Sequence, residues 1–298
     1  MRYIILLLFL MASYVPQKGI AMVTNNMADL DAVGAGWYYN WTTYPITPPD
    51  LRNVPMSREG LYDLDLLPAD YAGYMLVFNE PNNVEPYGSN LTPQVAAVRY
   101  IAIRAAYPNA VMVVGNCSAW ASDWYAGFIN ALNIAGEPIP THWGIHGYIE
   151  SWITTPQLVT WWTQAHNITG GTYWVTEFAD TTGNTASFSN LLAAIITTSW
   201  IDRYAYFTNR YPEGAAYIPP GWHDFALFDG DNLSPIGEIY AGVRQPPDEH
   251  HEATATPTLI PTLIPTPEPK PTRTPHPNSR GSRDKVKKDR VFYEVTNG

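Results

Sequence analysis

Between Gly36 and Phe207 the chain alternates short, densely apolar runs with longer stretches in which polar residues interrupt the apolar ones. Several runs read as strands: Gly36–Asn40, Asn53–Met56, Tyr74–Phe78, Val111–Gly115, Trp143–His146, Tyr173–Thr176 and Arg203–Phe207. Thr92–Tyr107 reads as an amphipathic helix, with Val95, Val98, Ile101, Ile103 and Ala105 set among Arg99 and Arg104. Thr92-Pro93 opens it as N-cap and first-turn proline. Phe188–Trp200 is a second helical stretch, lying between the last two strands. Strand and helix in alternation predict βα units around a parallel sheet. The fold class expected is therefore α/β, a (β/α)8 barrel. Its eighth strand, short or degenerate, is expected between Ser57 and Ala72, from Leu61, Leu64, Leu66 and Leu67.

The ends of the chain read differently. Arg2 and the apolar stretch Tyr3–Val15 look like an export signal, with small residues in Gly19-Ile20-Ala21 for cleavage, so residues 1–21 are expected to be a signal peptide. The apolar run is shorter than the ~20 residues of a membrane span. The folded body is expected over 22–243. Thr-Pro units then fill a linker over 244–278, a composition that favours extended chain and buries no core. A basic tail over 279–298 carries Arg280, Arg283, Lys285, Lys287, Lys288 and Arg290, a potential attachment to an anionic cell surface.

Charge narrows the partners. Between Ala21 and Gly242 there are 20 acidic residues against six Arg and no Lys, so the body repels phosphate and suits a neutral substrate. Nucleic acid is excluded as a partner, since phosphate binding needs a basic face. The single cysteine, Cys117, follows an apolar run and reads as a small buried hydrophobe. No Cys/His pair has zinc-ligand spacing and no glycine-rich phosphate loop occurs, so no metal and no cofactor are expected.

Two glutamates follow directly on strand runs: Glu80 after Tyr74–Asn79, and Glu177 after Tyr173–Thr176. Barrel enzymes mount their reactive groups at the C-terminal ends of strands, and glycoside hydrolysis commonly uses two carboxyl groups flanking the scissile bond. A lone strand-end glutamate more often caps a helix or holds a loop; a pair in this alternation favours chemistry. Spacing goes no further.

The surrounding residues do. Phe78-Asn79-Glu80-Pro81-Asn82 and Trp174-Val175-Thr176-Glu177-Phe178 resemble the two catalytic motifs of glycoside hydrolase family 128, retaining β-1,3-glucanases of the (β/α)8 clan. Trp37-Tyr38-Tyr39-Asn40-Trp41, Val54-Pro55-Met56, His146-Gly147-Tyr148 and Arg203-Tyr204-Ala205-Tyr206-Phe207 are similar to its other strand motifs, in order, with Tyr206 where Trp is usual. The resemblance spans Gly36 to about Tyr240. It implies Glu80 as acid/base, its neutral form favoured by burial and by the charge of Glu177, and Glu177 as nucleophile. Asn79 would bond the sugar 2-hydroxyl, Tyr148 would donate to the nucleophile, and His146 would line the same wall.

Aromatic supply adds sugar-stacking candidates among Trp37, Trp41, Trp120, Trp143, Trp152 and Trp222, with Trp37, Trp41 and Trp152 preferred for their polar neighbours and Tyr206 replacing one expected platform. The function expected is an exported, monomeric hydrolase of a β-glucan, most simply an endo-β-1,3-glucanase, secreted or held at the cell surface. The alternatives are a barrel hydrolase of another β-glycan and a non-catalytic glycan-binding protein on the same barrel. A metal-dependent deacetylase or an esterase lacks the His/Asp cluster or the nucleophile turn it would need.

Overall fold

A computed structural model describes residues 15–43, 52–60, 67–84, 88–211 and 225–244. Eight parallel strands form the sheet: β1 (Gln17–Ala21), β2 (Trp37–Tyr39), β3 (Met56–Ser57), β4 (Tyr74–Val77), β5 (Val111–Cys117), β6 (His142–Ile149), β7 (Thr172–Asp180) and β8 (Ile201–Phe207). β1 pairs with both β2 and β8, and β3 pairs with β4. A parallel bridge from Tyr38 to Asn53, just before β3, brings the two ends of the sheet together. The result is a nearly closed (β/α)8 barrel.

Its helices are α1 (Met27–Val33), α2 (Pro93–Ala106), α3 (Ser122–Ala135), α4 (Thr155–Thr169), α5 (Thr185–Thr197) and α6 (Pro235–Gly242). Thr92 Oγ1 accepts the Val95 amide and Pro93 occupies the first turn, so α2 starts where its caps dictate. Its buried face is Ala96, Ala97, Tyr100 and Ile103 rather than the valines; Val98 is 69 % exposed. Phe188, Leu191, Leu192 and Ile195 bury one face of α5, each contributing roughly 1.5–3 kcal/mol as water is removed.

The eighth strand is found elsewhere than expected. It is β1, whose Ile20 and Ala21 are fully buried. A chain cut after Ala21 would lose a strand with two neighbours, so the body begins by Gln17 rather than Met22. Lys18 reinforces this: its Nζ donates to the carbonyls of Tyr240 and Val243 at the end of α6, tying the first strand to the last helix. Leu61, Leu64 and Leu66 lie outside the described residues, as do the apolar stretch up to Tyr14 and the linker and tail from 245 onward.

Inward and outward residues separate cleanly. Ala21, Trp37, Tyr39, Val54, Met56, Leu76, Val113, Trp174 and Ala205 fill the barrel interior, while Tyr38, Val77, Val114, Val175 and Tyr204 pack under the helices. Those are the two faces of period-two strands.

Candidate active site

Along β2 the inner face climbs from Trp37 through Tyr39 to Trp41, just beyond the strand. Trp37 lies at the start of the strand, 2 % exposed, with its indole donating to the Gln17 carbonyl and its ring tilted against Trp174. It is barrel packing and not a sugar platform, which corrects the expectation. Tyr39 Oη donates to Glu177 Oε1 at 2.9 Å, and Trp41 Nε1 donates to the same oxygen at 2.9 Å.

Glu177 comes from β7, where strict alternation would aim it at the helices. Trp174 points inward and Val175 outward. The register then shifts past Thr176 against both β6 and β8. Such a bulge re-aims a side chain; it turns Glu177 into the barrel mouth and leaves Phe178 packed on Phe188. From β6, Tyr148 Oη donates to Glu177 Oε2 at 2.6 Å. Both phenols are pushed well above their usual value, by burial first and then by the Glu177 charge. They stay protonated and donate throughout the neutral range.

Glu80 follows β4 through an unusual backbone. Phe78 and Glu80 both have left-handed φ, 71° and 42°, a conformation costing about 1–3 kcal/mol for such residues. The stretch is held by the Glu80 amide donating to the Asn116 carbonyl and by Ser89, whose amide and hydroxyl both donate to the Asn79 carbonyl. Asn79 itself is buried on this rim. Asn83 Nδ2 donates to Glu80 Oε2 at 2.9 Å.

His146 joins the two acids. Its Nδ1 lies 3.0 Å from Glu80 Oε1 and 3.4 Å from Glu177 Oε2. The two carboxylate oxygens are therefore no farther apart than those two lengths combined. Burial pushes the Glu80 carboxyl up, but the His146 hydrogen bond and charge, the Asn83 amide and the Arg58 charge outweigh it, and the net direction is down. Beside burial and the charge of Glu177, a titratable imidazole therefore bears on the protonation of Glu80. Burial pushes the imidazole down, yet the charge of Glu177 and the bond and charge of Glu80 raise it above 6.5.

The last strand holds a further correction. Tyr206 is fully buried, facing the helices; it packs on Phe188 and Tyr240 and donates to the Phe225 carbonyl. It cannot reach a sugar. The neighbouring Phe207 turns to the mouth instead, with ring centroids 5.7 Å from Trp41 and 5.8 Å from Tyr148. Farther along the rim, Trp152 is 59 % exposed and 6.4 Å from Trp120, itself 49 % exposed and set edge-on against Trp161. Trp143 is buried beneath α3, against Tyr125 and Phe128, and Trp222 lies outside the described residues. Among the described residues no group of three or more His, Cys, Asp or Glu is arranged to hold a metal ion.

A barrel mouth with two bridged carboxylates and an aromatic rim can be set beside known proteins. A family model described as "Glycosyl hydrolase catalytic core" matches residues 19–240. The chain belongs to that family. Several solved structures share the glycosyl hydrolase fold with it. One is a family-128 subgroup I endo-β-1,3-glucanase from Amycolatopsis mediterranei in complex with laminaritriose, 20% identical, covering 76% of this chain and 98% of its own, TM-score 0.59. Another is a curdlan-specific exo-β-1,3-glucanase of subgroup III from Blastomyces gilchristii, 20% identical, with coverages of 76% and 98% and a TM-score of 0.57. A subgroup VII oligosaccharide-binding protein from Cryptococcus neoformans is also similar, 20% identical, with coverages of 77% and 94% and a TM-score of 0.56. No curated protein matches the chain in sequence.

Sequence reasoning overlooked Tyr39, Asn83 and Phe207 of this glycosyl hydrolase. Two were within reach of simple alternation: Tyr39 is two residues from both Trp37 and Trp41, and Phe207 is two from the inward Ala205. Asn83 had no such signal, because a loop brings it back to Glu80.

Proposed function

We propose that this glycoside hydrolase is an endo-β-1,3-glucanase working by double displacement, with Glu177 as nucleophile and Glu80 as acid/base. The observation that carries the reading is the single His146 nitrogen within 3.0 and 3.4 Å of the two carboxylates. Retaining enzymes place the carboxyl groups about 5–5.5 Å apart, and inverting ones leave about 6.5–9.5 Å for a water. The shared His146 contact limits how far one oxygen of each acid can lie from the other, the close approach that a retaining pair needs.

In the first step the Glu80 proton passes to the glycosidic oxygen as its bond to C1 breaks, and a Glu177 oxygen forms a bond to C1. In the second, water attacks C1, its proton goes to Glu80, and the bond to Glu177 breaks. A proton resting on His146 Nδ1 need only cross one hydrogen bond to convert Glu80 to its acid form. Tyr39, Trp41 and Tyr148 hold the nucleophile, and Phe207 and Trp41 offer faces to the sugar bound there. Asn79 would meet its 2-hydroxyl. Trp120 and Trp152, on the loops after β5 and β6, would stack sugars farther along the chain, which favours attack within a polymer.

Export fits the apolar stretch Tyr3–Val15, with any processing upstream of Gln17 so that β1 survives, and the basic tail would serve attachment at a cell surface. The test is product analysis on laminarin, curdlan, mixed-linkage glucan, mannan and xylan. The wild type should release oligosaccharides from the first two, while Glu80→Gln binds them without cutting. Binding without hydrolysis by both proteins would instead make this a glycan-binding barrel.

A further inference from the structure

One step down the barrel from the carboxylates, a fully buried amide joins the two strands that carry them. We propose that Asn116 is a positioning residue that sets the separation of Glu80 and Glu177, an inference that rests on their assignment as the catalytic pair. Its backbone carbonyl accepts from the Glu80 amide at 2.9 Å. Its Nδ2 donates to the carbonyls of Phe78 at 3.0 Å and Val77 at 3.2 Å. Its Oδ1 accepts from Thr176 Oγ1 at 3.0 Å, one residue before Glu177. One side chain thus grips both flanks of the pair.

The local backbone is built around this contact. β5 adjoins β4 directly, but β7 lies beyond β6, so the amide must reach across an intervening strand. Asn116 sits at the register shift of β5 with φ of 48°, which swings its side chain inward. On β6 the residue it crosses is Gly144, where a Cβ would fall 1.9 Å from Asn116 Oδ1. Phe78 and Glu80, both with left-handed φ, are among the residues Asn116 grips on the acid side. A group misplaced by about 1 Å can lose on the order of 10²-fold in rate, so a brace that fixes both acids at once governs turnover without touching substrate.

The test separates hydrogen bonding from packing. Thr176→Val keeps the shape of the side chain and removes its hydroxyl; Thr176→Ser keeps the hydroxyl and removes a methyl. Positioning predicts that Thr176→Val lowers kcat on laminarin by ~10–10²-fold with KM unchanged, and that Thr176→Ser recovers most of it. The reverse order, with Val tolerated and Ser impaired, would overturn the proposal in favour of packing. Should the wild type cleave no β-glucan, the functional reading falls, and crystal structures of wild type and Asn116→Ala decide the brace independently. Movement of the Glu80 carboxyl relative to Glu177 by about 1 Å or more supports it; superimposable carboxyls refute it.

Discussion

At the scale of single residues, the two acids differ in the company they keep. Glu177 accepts from phenols and an indole that stay protonated near neutrality, whereas Glu80 accepts from an imidazole that titrates. Because the imidazole is raised above 6.5, its pairing with the carboxylates stabilises the fold fully below that pH and is lost as pH rises through the raised value. Melting temperature should therefore fall as pH climbs past 6.5, and His146→Asn should flatten that slope; an equally steep fall in the variant would remove His146 as its source. Tyr148→Phe deletes one donor to the nucleophile and should lower kcat on laminarin by roughly 10²–10³-fold, by analogy with loss of a single preorganised donor. Glu80 and Glu177 stood out in the sequence because strand-end acids are local signals, whereas His146 and Tyr148 came only with the family resemblance. Trp37 and Tyr206 misled because aromatic residues serve core and site alike, and only the facing of the strand decides between them.

At the scale of elements, the register shifts in β5 and β7 decide where chemistry sits. Without the shift at Thr176, Glu177 would point at α5, and a period-two reading has no means of foreseeing one extra residue. The central strands were legible because they are apolar on both faces; β1 was not, since five residues beside an apolar leader carry no separate signal. α5 illustrates a purely structural element. Phe188→Ala should destabilise the protein by ~3–5 kcal/mol, measurable by denaturant unfolding, while folded enzyme keeps its KM.

Across the whole molecule, closure depends on β1 bridging β2 and β8 and on Lys18 holding the end of α6. A chain starting at Met22 should fail to fold, whereas one starting at Val15 and ending at Arg244 should keep the melting temperature and activity of the full chain. Equal stability of the Met22 chain, read by circular dichroism, would contradict the place given to β1. The central claim, that two acids at one barrel mouth act in double displacement, is most directly tested by following the anomeric proton of the first products by NMR, before mutarotation. A fresh reducing end in the β configuration is the predicted result. The α configuration appearing first would mean inversion, and would contradict the role given to Glu177.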